Sequence, residues 1–160
     1  MDKKNAPIAI TVSEALNKME RYCAYQERCH KEVMSKLSGM RLIPEAKEQI
    51  ILHLLEHNFL NEERFAKSFA RGKFRIKKWG KQRIVRELKF RNISTYNIKT
   101  ALKEIPESSY LETFHELADK KYASLTEKDR YKKKKKLIDY LVYRGWENQL
   151  VFDKINDLNL

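Results

Sequence analysis

An all-α fold built from three tandem three-helix repeats is what this 160-residue sequence predicts. Three observations carry the prediction. With four glycines and three prolines there is little room for hairpins, and strand-like alternation is almost absent. Apolar residues recur at helical spacing along most of the chain. One cadence also comes round three times. Leu37, Leu88 and Leu141 each end a basic amphipathic segment: KEVMSKL (31–37), KQRIVREL (81–88) and KKKKKLIDYL (132–141). The intervals between these leucines are 51 and 53 residues, and each is followed by a second anchor, Ile43, Ile93 or Trp146. A period of that size without identical sequence points to one supersecondary unit used three times. The expected organisation is a flexible tail over 1–10 and repeats over 11–59, 60–106 and 107–160, about nine helices in an elongated curved array. No linker rich in Ser, Gly or Pro separates the repeats, so they should abut.

The elements follow in order. Thr11-x-x-Glu14 has the form of a capping box and opens a helix with Val12, Leu16, Met19 and Cys23 on one face. A second helix covers about 28–38, with Cys29, Val33 and Leu37 in line and Gly39 after it. Pro44 suits the first turn of a third, which carries Ile50, Ile51, Leu54 and Leu55 inward, and Asn58 can close it in the left-handed conformation. Asn61 caps the fourth helix, with Glu62 and Glu63 complementing its N-terminus. Phe65, Phe69, Gly72 and Ile76 form its apolar stripe, flanked by a basic ridge of Arg64, Lys67, Arg71, Arg75 and Lys78. The fifth, about 81–91, buries Ile84, Val85 and Leu88. Ser94 caps the sixth, with Ile93 and Ile98 as a hydrophobic staple. Ser109-x-x-Glu112 reads as another capping box, beside Leu111, Phe114, Ala118, Tyr122 and Leu125. The lysine-rich eighth helix buries Leu137, Ile138 and Leu141. The ninth follows Trp146, includes Val151 and ends near Leu158. The short run from Pro7 to Val12 is the nearest thing to a β-prone segment.

Net charge is +12, from 34 Lys and Arg against 22 Asp and Glu. That balance speaks of partners rather than fold: nucleic acid, an acidic protein surface or, less readily, anionic lipid. No 18-residue apolar run, secretory signal or lipidation motif is present, so no membrane association is expected. Cys23 and Cys29 read as free thiols of a reducing compartment.

Catalytic motifs are scarce. His53-Leu-Leu-Glu56-His57 has the H-x-x-E-H form used by some zinc peptidases, with both histidines on one helical face, but no third ligand stands in a recognisable context. The competing reading is the wet side of an amphipathic helix, so neither a metal nor a cofactor is expected. His30 beside Cys29 reads as helix surface. Nucleotide loops and nucleophile elbows are missing. The strongest local pattern is 71–91. It holds Arg71, Lys73, Arg75, Lys77, Lys78, Lys81, Arg83, Arg86, Lys89 and Arg91 against one acid, Glu87, with Phe74, Trp79 and Phe90 interleaved. Such a mixture can neutralise phosphates and stack on exposed bases. The lysine run 132–136 reads more readily as solubilising surface.

Asn61-Glu-Glu-Arg64-Phe65-Ala66, then Arg71, Gly80-x-x-x-Ile84-x-x-x-Leu88 and Asn92-Ile93 together resemble the signature of the RecX family. Asn58-Phe59-Leu60 fits the entry to that motif, and Arg28-Cys29-x-x-Glu32-x-x-x-x-Leu37 is similar to an upstream family element. Departures are Asn58 and Asn92 where Gly is usual, Cys29 for Ser and Gln82 for Pro. The resemblance implies a small, cytoplasmic, non-enzymatic protein of three tandem three-helix repeats. It also implies a partner, the RecA recombinase filament on single-stranded DNA, whose ATPase and strand exchange RecX proteins generally inhibit. Residues expected to meet RecA or DNA are Arg64, Lys67, Arg71, Arg75 and Lys78, with Lys81, Arg83 and Arg86 beside them. Phe65, Phe69, Leu88 and Ile93 are expected in the core, and the protein is expected to act as a monomer. The alternative is a helix-turn-helix-like DNA-binding transcription factor, which three-helix units with tight turns also permit.

Overall fold

A computed structural model of the chain describes residues 10–160. The expected tail, apart from Ile10, and the start of the Pro7–Val12 run lie outside the described residues. Among the described residues there are nine α-helices and no strand: α1 Val12–Tyr25, α2 His30–Ser38, α3 Pro44–Glu56, α4 Glu62–Arg75, α5 Lys81–Phe90, α6 Thr95–Leu102, α7 Glu107–Ser124, α8 Arg130–Tyr143 and α9 Asn148–Asp157. They divide into two compact units, Met1–Phe65 and Ala66–Leu160, with the dividing point inside α4.

In the first unit the Thr11 capping box is complete. The Glu14 N–H donates to Thr11 Oγ1 at 3.1 Å, and the Thr11 N–H donates to Glu14 Oε2 at 3.4 Å. The buried face of α1 is Ala15, Met19 and Cys23, whereas Val12 is exposed. The anchor is therefore the small Ala15, which apolar bulk alone does not reveal. The core adds Val33, Leu37, Ile50, Ile51, Leu54 and Leu60. Ile10 packs against it, so it belongs to the core rather than to a tail. Cys29 is buried as the residue capping α2, which starts at His30. Pro44 occupies the first turn of α3 as expected, but Leu55 faces solvent. Ile43 is 66% exposed and so is not an anchor. It is the extended residue preceding a proline, at φ −67° and ψ 152°, which directs it away from the bundle.

Asn61 Oδ1 accepts the Arg64 N–H at 2.9 Å, capping α4 as the sequence suggests. The buried side of α4 is Phe65, Ala66, Ala70 and Phe74. Phe69 and Gly72 are only half-buried, and Ile76 lies beyond the helix end, exposed. The sequence pattern places the stripe one helical position away because Ile76 outweighs two alanines in apolar bulk. Helix α5 buries Ile84 and Leu88 and leaves Val85 half-buried; α6 is capped by Ser94 Oγ on the Asn97 N–H at 3.2 Å, with Ile93 and Ile98 both buried. Helix α7 starts at Glu107 behind Pro106, so Ser109 and Glu112 lie inside it instead of forming a capping box. Pro106 already holds φ at −63°, which starts the helix three residues early. Asp129 caps α8, which buries Leu137 and Leu141 but leaves Ile138 half-buried.

Two of the three leucines of the cadence, Leu88 and Leu141, share a physical cause, and Leu37 does not. The Leu88 carbonyl accepts the Ile93 N–H at 3.1 Å, and the Leu141 carbonyl accepts the Trp146 N–H at 3.2 Å. Between them Asn92 and Gly145 sit at φ 60° and 92°. The same closure ends α3, from Leu54 to Phe59 through Asn58, and α9, from Ile155 to Leu160 through Asn159. This is the Schellman motif, in which a left-handed residue lets a later N–H cap an orphan carbonyl while two apolar residues meet. Asparagine tolerates that conformation better than most non-glycine residues, so Asn58 and Asn92 hold the turn without glycine. Leu88 and Leu141 are fully buried, each worth about 1.5–3 kcal/mol.

Candidate functional site

Charge is divided unevenly between the two units. Residues 1–65 carry ten Lys and Arg against ten Asp and Glu; residues 66–160 carry 24 against 12. The whole net charge therefore lies in the second unit, on the turns and helices from α4 onward.

The expected basic ridge separates into tied and open cations. Arg64 is tied: its Nε donates to Glu27 Oε1 at 2.6 Å, and its Nη2 donates to the carbonyls of Asn58 and Phe59 at 2.8 and 3.3 Å. Lys67 and Arg71 share Glu104, at 3.9 and 3.3 Å. Lys81 Nζ lies 3.3 Å from Glu107 and over the Tyr110 ring. By contrast Arg75, Lys77, Lys78, Arg86 and Lys89 are all exposed, and none has a carboxylate partner among the described residues. A shallow apolar depression on α5, lined by Lys81, Gln82, Val85, Arg86 and Lys89, joins the last two.

The open group stands on a built joint between the α4–α5 turn and the α8–α9 turn. The Gly80 N–H donates to the Arg144 carbonyl at 2.8 Å, and the Gln82 N–H donates to the Gly145 carbonyl at 3.1 Å. Arg144 Nη1 returns a bond to the Lys77 carbonyl at 2.8 Å. Neither glycine can carry a side chain here. A Cβ on Gly80 would fall 2.3 Å from the Gly145 oxygen, and one on Gly145 would fall 2.2 Å from Arg83 Cβ. Tyr110 locks the joint from inside: its hydroxyl donates to the Glu147 carboxylate, 2.6 Å from Oε2, and accepts the Lys81 N–H at 2.9 Å. Burial and the bond to Glu147 push this phenol well above its usual range, so it remains a donor. Trp146 is fully buried against Tyr110 and Phe114.

The interleaved aromatics divide in the same way. Phe74 is buried against Tyr110 and cannot stack on a base. Phe69 is half-buried with Lys73 and Arg91 over its ring, at the margin of the core rather than in it. Phe65, Leu88 and Ile93 are buried, as expected. Trp79 is half-buried under the Arg83 guanidinium, 4.1 Å from its centroid, and that guanidinium also lies 4.8 Å from the Tyr143 ring. No local sequence signal marks Tyr143, because the residue that contacts its ring, Arg83 of α5, stands 60 residues earlier. In the lysine run, Lys133 covers Tyr122, Lys135 pairs with Asp139 at 2.9 Å and Lys136 pairs with Glu127.

The H-x-x-E-H residues are otherwise occupied. His53 Nε2 lies 2.7 Å from Glu20 Oε1, and His57 stacks on His53 at 4.1 Å while bonding its carbonyl. No cluster of three metal-ligating side chains occurs among the described residues, and no helix there is long and apolar enough to cross a membrane.

Comparison with known proteins reports on the same segments. Residues 61–102 match the family model for the second three-helix domain of RecX, and residues 108–155 match that for its third. "Regulatory protein RecX" of Yersinia enterocolitica is 32% identical over 114 residues, covering 71% of this chain and 66% of that one. Its counterpart in Clostridioides difficile is 25% identical over 145 residues, covering 91% and 68%. In Lactobacillus johnsonii the identity is 31% over 100 residues, or 62% of this chain; the match spans 37% of that relative's length. A crystal structure of RecX from Lactobacillus salivarius superposes with a TM-score of 0.76 at 23% identity, covering 92% of this chain and 96% of that one. A second, of a regulatory protein RecX, gives 0.79 at 22%, covering 91% and 73%. The structural likeness carries the fold, a helical-repeat architecture; the family models carry the kinship. This chain belongs to the RecX family of regulatory proteins.

Proposed function

We propose that this chain regulates the RecA recombinase by docking on its filament with single-stranded DNA and restraining ATP hydrolysis and strand exchange. The observation that carries the reading is the group of exposed, unpaired cations from Arg75 to Lys89 on an all-helical unit that holds the whole net charge. Free cations on a rigid scaffold favour association with a polyanionic surface and do not themselves perform chemistry. Family membership supplies the partner. Within the expected site, Arg75, Lys78 and Arg86 make the contact, while Lys81 and Arg83 position the surface. Arg64, Lys67 and Arg71 act chiefly as architecture. The protein would work as a monomer in the cytoplasm.

The test is RecA's DNA-dependent ATPase with the chain titrated in, beside an Arg75→Glu/Lys78→Glu/Arg86→Glu variant. Hydrolysis should fall with the wild type and recover with the variant. An unaffected ATPase overturns the reading; equal inhibition by the variant overturns the site. The transcription-factor alternative requires preference for one duplex sequence over random duplex, which a competition assay measures directly.

A further inference from the structure

We infer that the joint between the α4–α5 and α8–α9 turns is a platform for single-stranded nucleic acid, with the Tyr143 ring stacking a base and Arg75, Lys77 and Lys78 holding phosphates. The inference supplies a DNA side to the function proposed above. It is tested without RecA, so each can fail alone.

Tyr143 is 72% exposed, yet its ring is held. The Arg83 guanidinium lies 4.8 Å from its centroid and 4.1 Å from that of Trp79. Arg83 Nη1 also donates to the Tyr143 carbonyl at 3.4 Å. An exposed tyrosine is ordinarily free to rotate, whereas this one is contacted by Arg83 and still exposes most of its surface, which lowers the entropic cost of stacking. Arg144, the next residue along, bonds the Lys77 carbonyl at 2.8 Å, and the Gly80 N–H bonds the Arg144 carbonyl at 2.8 Å, so the backbone of the turn that carries Lys77 and Lys78 is tied to the end of α8. Lys78 occupies the left-handed region at φ 58°, and the Trp79 N–H caps the Lys73 carbonyl at 3.2 Å, so the turn is defined. No carboxylate neutralises Arg75, Lys77 or Lys78 among the described residues.

An acidic protein surface would use the cations without requiring an aromatic face. A duplex would present phosphates but hide its base faces. An unpaired strand uses both, since every base has a face to stack and a phosphate beside it. Tyr131, also exposed, stands twelve residues before Tyr143 on α8, about 18 Å along the helix axis, with the lysine run beginning after it. It offers the strand a second stacking point.

The experiment is fluorescence anisotropy of a labelled oligo-dT of about 16 nucleotides, a length typical of single-strand sites, with the whole chain and no RecA. The oligonucleotide should bind, with a log–log salt slope of about −2 for three neutralised phosphates. Tyr143→Ala should weaken binding about tenfold and Tyr143→Phe should leave it unchanged, because stacking needs the ring and not the hydroxyl. Lys77→Glu/Lys78→Glu should reduce both affinity and slope. On a hairpin duplex of equal charge Tyr143→Ala should have no effect. Absence of oligo-dT binding overturns the inference, as does wild-type affinity in Tyr143→Ala. So does displacement by poly-glutamate at equal charge with the Tyr143→Ala variant indifferent, the result an acidic protein partner would give.

Discussion

Arg64 and Arg86 are both arginines in basic helical sequence, and they do opposite things. The first is spent on Glu27 and two carbonyls that end the preceding helix; the second faces solvent with no carboxylate partner among the described residues. The contrast extends to their neighbours: Lys67 and Arg71 share Glu104, while Lys77, Lys78 and Lys89 have no carboxylate partner among the described residues. A cation count therefore overstates the surface a ligand can use, because part of it already serves the fold. Availability depends on where acids fall in space.

The largest effect should come from removing the support under the open group. Gly145→Ala demands a left-handed alanine at φ 92° with its Cβ inside Arg83, and should cost about 3 kcal/mol or more in urea denaturation. Gly72→Ala is the matched control: it has open space in a helix and should be neutral or stabilising by about 0.5–1 kcal/mol. Next, Arg64→Ala strips Glu27, whose Oε2 is already buried without a partner, and two carbonyls. It should cost about 1–2 kcal/mol, lowering Tm by roughly 2–6 °C after allowance for partial exposure. Arg86→Ala should change stability by less than about 0.5 kcal/mol while reducing RecA inhibition. If Arg86→Ala proves the more destabilising of the two, the division into tied and open cations fails. The smallest effect belongs to Glu104→Gln, which releases Lys67 and Arg71. If they then reach phosphate, the salt slope for oligo-dT should steepen by up to about 1.4.

The helices were legible in the sequence because their caps are chemical: Thr11, Asn61 and Ser94 each accept the N–H their position calls for. Helical phase was less legible wherever the buried residue is small. Ala15, Ala66 and Ala70 are fully buried while the bulkier Val12 and Ile76 are exposed. The start of α7 was misplaced because Ser109-x-x-Glu112 matches a capping pattern that Pro106 pre-empts. Of the candidate site, the cationic segment could be read along the chain, but its pairing could not. Glu27, Glu104 and Glu107 lie 26 to 37 residues from the cations they neutralise. The joint that displays Tyr143 depends on contacts 60 to 67 residues apart, beyond any local pattern.

The closures at Leu54, Leu88, Leu141 and Ile155 also act as rulers. Each fixes a five-residue interval, since the hydrogen bond runs from a carbonyl to the N–H five positions on. Composition within the interval is permissive provided the fourth step can turn left-handed, as Asn58, Asn92, Gly145 and Asn159 do. Length is not. A single inserted or deleted residue between Leu141 and Trp146 would rotate the indole out of its socket, so indels should be excluded there. The stretch between Leu37 and Ile43, which has no such bond to an anchor, should accept them.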